Sequence, residues 1–129
     1  MKKQILIVLA VLVVVLGVAI FFSQKESAPG QYDTFATCLK DSGAKFYGAF
    51  WCPHCREQKE MFENSAKLLP YVECSTPDGQ NQTAVCAEKE IKSYPTWIFA
   101  NGEIGNGTQD FAALASSTGC ALPQEALAE

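Results

Sequence analysis

Apolar positions in this chain form one long block followed by several short periodic stretches. Ile5 to Phe22 is an unbroken apolar run without a charge. At about 1.5 Å per residue a helix of that length spans roughly 27 Å, close to the hydrocarbon thickness of a bilayer. The pattern therefore predicts one N-terminal transmembrane helix over residues 1–22, with Lys2 and Lys3 on the cytoplasmic side. A cleaved signal peptide is the alternative. The run is longer than a signal core, and Glu26 two places before Ala28 makes a poor cleavage site. Residues 23–31 read as a polar linker containing Pro29 and Gly30, about 30 Å long when fully extended. Residues 32–129 remain for one domain.

Within that domain the period alternates between helix and strand. Asp33 is placed to cap a short helix with Phe35, Cys38 and Leu39 on one face, ended by Gly43. Lys45 to Phe50 reads as a buried strand, and Cys52 to Leu69 as the main helix, stopped by Pro70. Tyr71 to Cys74 is a second strand, Ser75 to Thr83 a polar loop, and Val85 to Ile91 a short helix. Asn101-Gly102 between two short strands, Thr96 to Phe99 and Glu103 to Gly107, signals a hairpin. Gln109 to Ser116 is a last helix. The order predicts an α/β fold: a small central mixed sheet with flanking helices, one parallel pair from the helical crossover and an antiparallel edge from the hairpin.

Charge and cysteine content narrow the function. The formal net charge is −4, and no basic stripe is visible, which argues against nucleic-acid binding. All six cysteines follow the linker. An even number in a domain of roughly 100 residues, placed by the anchor outside the cytoplasm, suits disulfides. The expected location is thus the cell membrane, with a single pass and the domain on the extracytoplasmic side.

Cys52-Pro53-His54-Cys55 lies where a predicted strand meets a predicted helix, and each residue there has a chemical reason. Cys52 falls at the helix N-cap, where free N–H groups and the helix dipole favour a thiolate. Pro53 suits the first turn, since its missing N–H would have had no partner. His54 can donate to the thiolate or add positive charge. Cys55, on the face of Phe62, Ala66 and Leu69, reads as the buried resolving thiol, and Cys52 as the exposed nucleophile. Two intervening residues bring the sulfurs within bonding distance. A static disulfide or half of a zinc site are the bland alternatives. Zinc wants four ligands, and Cys74 and Cys86 are not spaced as its second pair. Neither a metal nor a cofactor beyond the redox-active disulfide itself is expected.

Trp51-Cys52-Pro53-His54-Cys55 and Tyr94-Pro95-Thr96-Trp97 before the hairpin together resemble the thioredoxin superfamily. The stretch from Phe35 to Trp97 is most similar to the thioredoxin-like domain associated with bacterial vitamin K epoxide reductase homologues. The resemblance implies a thioredoxin fold, a cis Tyr94–Pro95 bond beside the cysteine pair, and a Tyr94 backbone that pairs with extended substrate. Trp51 is the expected apolar contribution to that substrate surface, whereas Trp97 reads as core. One departure stands out: family members often bury an acid six places before the first active-site cysteine, and here that place is Phe46. Lys45 beside it would point to the other face.

The remaining four cysteines allow three pairings. Cys74–Cys86 would close about a dozen residues across a loop and stabilise by roughly 3 kcal/mol, which leaves Cys38–Cys120 to join the two ends of the domain. A second redox pair at Cys74–Cys86 is the functional alternative. Pro-His between the active cysteines resembles the strong disulfide donors of the bacterial periplasm, the DsbA type. The expected activity is donation of disulfides to secreted protein thiols, with reoxidation by a quinone-linked membrane enzyme of the vitamin K epoxide reductase or DsbB type. A membrane-anchored reductase or isomerase, and a module binding a soft metal through Cys52, His54 and Cys55, are the competing readings.

Overall fold

The computed structural model describes residues 1–23 and 29–124, without the side chains of residues 19–23. The central part of the expected linker, the cleavage argument at Glu26 and Ala28, and the last five residues of the expected domain lie outside them. Helix α1 spans Lys2–Ser23. No helix among the described residues is long and apolar enough to cross a membrane. The expected transmembrane helix is therefore corrected, and the orientation read from Lys2 and Lys3 falls with it.

The remaining elements are α2 (Asp33–Asp41), β1 (Lys45–Gly48), α3 (Pro53–Glu60), a 3-10 segment (Glu63–Leu68), β2 (Tyr71–Glu73), α4 (Ala84–Glu88), β3 (Thr96–Ile98), β4 (Ile104–Asn106) and α5 (Phe111–Thr118). The four strands form one mixed sheet in the order β2-β1-β3-β4. Strand β1 pairs parallel to β2 and antiparallel to β3, and β4 returns antiparallel beside β3. This is the mixed sheet the alternating periods call for.

Register sorts the core into two faces. Phe46 faces Tyr71 on one side and Trp97 on the other. Its ring stacks on Trp97 at 4.8 Å and meets Tyr71 edge-on at 5.0 Å. Phe35 and Leu39 of α2, Cys55 of α3, Phe62, and Leu114 of α5 cover that face. Tyr47 and Val72, one residue on, point oppositely, as strand geometry demands, and pack with Cys74, Cys86 and Ile91.

Four expectations about elements change. The single helix expected over 52–69 is two pieces, because Glu63 adopts φ 48°, a left-handed conformation that α-helix cannot absorb. Asp33 does not cap α2: Tyr32 holds the N-cap position and Asp33 is the first helical residue. The final helix begins at Phe111 rather than Gln109, since Asp110 is its cap and accepts the Ala113 N–H at 2.7 Å. Strand β1 ends at Gly48, two residues early, because the chain must turn there into the active-site helix.

Candidate active site

Strand β1 delivers the chain to a turn at Phe50 and Trp51, and α3 begins at Pro53. Cys52 is the N-cap of α3, with extended backbone (φ −75°, ψ 122°), and its sulfur accepts the Cys55 N–H at 3.4 Å. One of the unpaired donors at the helix start is thus spent on the sulfur. The Cys52 thiol also donates to the Tyr94 carbonyl at 3.6 Å. The Tyr94–Pro95 bond is cis. Cys52, Cys55, Tyr94 and Pro95 are therefore brought together, although Tyr94 lies 42 residues beyond Cys52.

The two cysteines are both free thiols and both buried. Cys55 is 1% exposed, as its place on the core face requires. Cys52 is only 5% exposed, so its expected exposure is corrected. The Tyr94 turn lies over its sulfur and helix α3 backs it. Phe50 and Trp51, which precede it in the chain, are both about half exposed. Trp51 is fixed there by its indole N–H, which donates to Ser75 Oγ at 2.9 Å, and by an edge contact with the Tyr94 ring at 5.9 Å. Trp97 is fully buried.

His54 stands apart from the sulfurs. Its Nδ1 lies 3.2 Å from Glu57 Oε2, one turn on along α3, and the side chain is 70% exposed. Thr108 Oγ1 donates to the same carboxylate oxygen and to the His54 carbonyl, each at 3.4 Å. The expected donation from His54 to the Cys52 thiolate is replaced by this pairing. No group of three or more His, Cys, Asp or Glu side chains among the described residues could hold a metal ion, and the convergence of Cys52, His54 and Cys55 that a soft-metal site needs is not present.

Burial pushes the Cys55 thiol up from 9.0 to about 12; a hydrogen bond with Cys52 acts in the same direction, while the Ala49 backbone and the Lys59 charge oppose it. Tyr71 is pushed above its ordinary range by burial and by its hydrogen bond to Glu73. Lys59, Tyr71 and Glu73 were not foreseen as neighbours of the site. The available signal was helical spacing for Lys59, four residues after Cys55, and strand spacing for Tyr71 and Glu73, two apart on β2. Gln58 was also missed. Fully buried, it accepts from Trp97 Nε1 at 3.1 Å and from the Gln109 N–H at 2.7 Å, and donates to the Gln109 carbonyl at 3.0 Å.

The other cysteines are paired. Cys38 joins Cys120, with Cα atoms 6.0 Å apart, and Cys74 joins Cys86, with Cα atoms 5.5 Å apart. Both sulfurs of the second bridge are fully buried.

Comparison with known proteins agrees with this geometry. The thioredoxin family model matches residues 31–117. The chain is 48% identical over 91 residues to thiol-disulfide oxidoreductase LTO1 of Arabidopsis thaliana, a match covering 67% of this chain and 24% of that protein. It is 32% identical over 78 residues to protein disulfide-isomerase 5-1 of the same plant, covering 55% and 53%. A thioredoxin domain-containing protein 5 homolog of Drosophila melanogaster is 34% identical over 91 residues, covering 64% and 22%. The chain thus spans about half or less of the length of these relatives. With its mixed sheet, its cysteine pair at a helix start and these similarities, the chain belongs to the thioredoxin family, and its domain is of the thiol–disulfide oxidoreductase and isomerase kind.

Proposed function

We propose that the domain donates disulfides to protein thiols through Cys52 and Cys55. The observation that carries this reading is Cys52 as the N-cap of α3, its sulfur taking a helix N–H while Tyr94 and cis Pro95 flank it. A helix N–H bonded to the reduced sulfur stabilises the reduced form, and a more stable reduced form makes the disulfide the more oxidising. Pro53 and His54 between the cysteines support the same direction by their likeness to periplasmic donors. A substrate thiolate attacks Cys52, the mixed disulfide forms there, and the substrate's second thiol resolves it. Electrons left on Cys52 and Cys55 pass to a quinone-linked membrane enzyme of the vitamin K epoxide reductase or DsbB type; the resemblance of the Phe35 to Trp97 stretch supports that partner. Two bridges outside the active site support work in an oxidising, extracytoplasmic compartment.

Equilibration with glutathione tests the direction. A potential well above that of protein disulfide isomerase, about −180 mV, is expected; a value near that of thioredoxin, about −270 mV, would overturn donation. The second reading, a reductase or isomerase, is favoured by the similarity to a protein named disulfide-isomerase. Recovery of a scrambled secreted protein by the chain, with no net gain of disulfides, would establish it.

A further inference from the structure

Whichever way electrons flow, Cys55 must leave or attack as a thiolate from a site that disfavours charge. Phe46, stacked on Trp97, offers no proton acceptor behind it. The charged groups nearest this side of the site are carried by α3 and β2. Lys59 lies four residues after Cys55 within α3, so the two side chains share one face, a turn apart. The Lys59 ammonium sits 3.3 Å from the centre of the Tyr71 ring, a contact that holds a cation in place. That ring borders the thiol. A Cβ built on Gly48 would lie 2.8 Å from Cys55 Sγ and 2.9 Å from Tyr71 Cε2, so the sulfur and the ring edge flank the same backbone atom.

Tyr71 is in turn fixed. Its hydroxyl donates to Glu73 Oε2 at 2.9 Å. The other oxygen of that carboxylate accepts the N–H groups of Phe50 at 3.2 Å and Ser75 at 2.9 Å. Those donors belong to the active-site turn and to the residue that holds Trp51. The carboxylate therefore ties the ring to the same backbone that carries Cys52.

From this arrangement we infer that Lys59, seated on the Tyr71 ring, is the positioning residue that stabilises Cys55 as its disulfide bond to Cys52 breaks. The inference rests on the Cys52–Cys55 pair being redox-active. In the step concerned, a substrate thiolate attacks Cys52 Sγ. A substrate–Cys52 bond forms, the Cys52–Cys55 bond breaks, and its electron pair departs on Cys55 Sγ, which then takes a proton from water. The substrate sulfur is oxidised and Cys55 is reduced. A leaving thiolate that a neighbouring cation stabilises leaves faster. Burial works against that charge and the Lys59 charge works for it. At neutral pH the reduced Cys55 is protonated whether or not Lys59 is present, so Lys59 changes the rate and leaves the equilibrium nearly untouched.

The test mixes the oxidised full chain with reduced glutathione and follows the tryptophan fluorescence, to which Trp51 beside Cys52 contributes. The glutathione–protein redox equilibrium is measured on the same samples. Lys59→Met keeps the length and removes the charge; it should slow reduction about five- to tenfold while moving the equilibrium constant less than twofold. Lys59→Arg should recover most of the rate. A Lys59→Met rate within twofold of the parent overturns the inference, as does Lys59→Arg remaining as slow as Lys59→Met. An equilibrium shift as large as the rate change also overturns it, because Lys59 would then act on the stable states. A parent chain whose Cys52–Cys55 disulfide does not exchange with glutathione at all overturns the proposed function, and this inference with it.

Discussion

Cys55 is 1% exposed, and burial raises its thiol from 9.0 to about 12. In the unfolded chain the same thiol ionises near its ordinary value, so between these two values only the folded state holds the proton. The stabilisation is complete below about pH 9 and is lost as pH climbs toward 12, by roughly 1 kcal/mol for each pH unit. Urea denaturation of the reduced protein at pH 8 and pH 10 should therefore show a larger loss than Cys55→Ala, which has no such proton; equal losses would mean that burial does not govern this thiol. Gly48 gives a second prediction at this scale. It spares the thiol and the Tyr71 ring a contact under 3 Å, so Gly48→Ala should destabilise by about 1–3 kcal/mol through overpacking and slow the exchange of the Cys52–Cys55 disulfide with glutathione. A variant with the parent's midpoint would show that the two side chains separate freely. The cysteine pair itself was legible in the sequence because its chemistry depends on four adjacent residues at a helix start. The burial of Cys52 was not, since the Tyr94 turn that covers it is remote in the chain. Nor was the His54–Glu57 contact weighed, although three-residue helical spacing permits it.

At the scale of elements, α3 is short and polar, with few apolar side chains to hold it. Its anchor is Gln58, whose amide bonds Trp97 of β3 and both backbone groups of Gln109. Gln58→Leu keeps the volume but leaves the buried Trp97 N–H and the part-buried Gln109 N–H and carbonyl without that partner, so it should cost roughly 2–4 kcal/mol. The urea midpoint measures this, and a change below 0.5 kcal/mol, about the scatter for neutral surface changes, would mean that water replaces the amide. Sequence pattern reads glutamine on a helix as surface, which is why this residue was passed over: its partners lie 39 and 51 residues away. The order and kind of elements were legible because the strands are short apolar runs separated by glycine, proline and polar turns. The break in the helix over 52–69 was not, since nothing local marks Glu63 for positive φ. Glu63→Gly should consequently be tolerated or stabilise by up to about 1 kcal/mol, glycine adopting that conformation without strain. A fall in melting temperature would show that the glutamate side chain contributes more than its backbone costs.

Across the whole molecule, the two bridges act over very different spans. Cys74–Cys86 has a sequence separation of 12 and closes the loop that carries Ser75, the support of Trp51, whereas Cys38–Cys120 has a separation of 82 and ties α2 to the end of α5. Three pairings were open from the sequence because spacing alone does not bring residues together; the sheet does so, by placing α2 and α5 on one face and α4 on the other. The long N-terminal apolar run shows the opposite failure, a strong local signal for a membrane span where no helix among the described residues is long and apolar enough to cross one. If both bridges are staples, their loss should separate stability from chemistry. The double variant Cys38→Ser/Cys120→Ser should lose roughly 4–5 kcal/mol, from the unfolded-chain entropy of the larger loop, yet keep the Cys52–Cys55 potential, since both cysteines lie outside α3 and the Tyr94 turn. Cys74→Ser/Cys86→Ser should lose less stability, roughly 3 kcal/mol, but should also slow reaction with peptide thiols by freeing Ser75 and hence Trp51. Urea midpoints and glutathione potentials on both double variants read these effects separately. A Cys38–Cys120 deletion that moves the potential as far as it moves stability would show that the two ends of the domain help to set the active-site chemistry, and that the bridge does more than hold the fold closed.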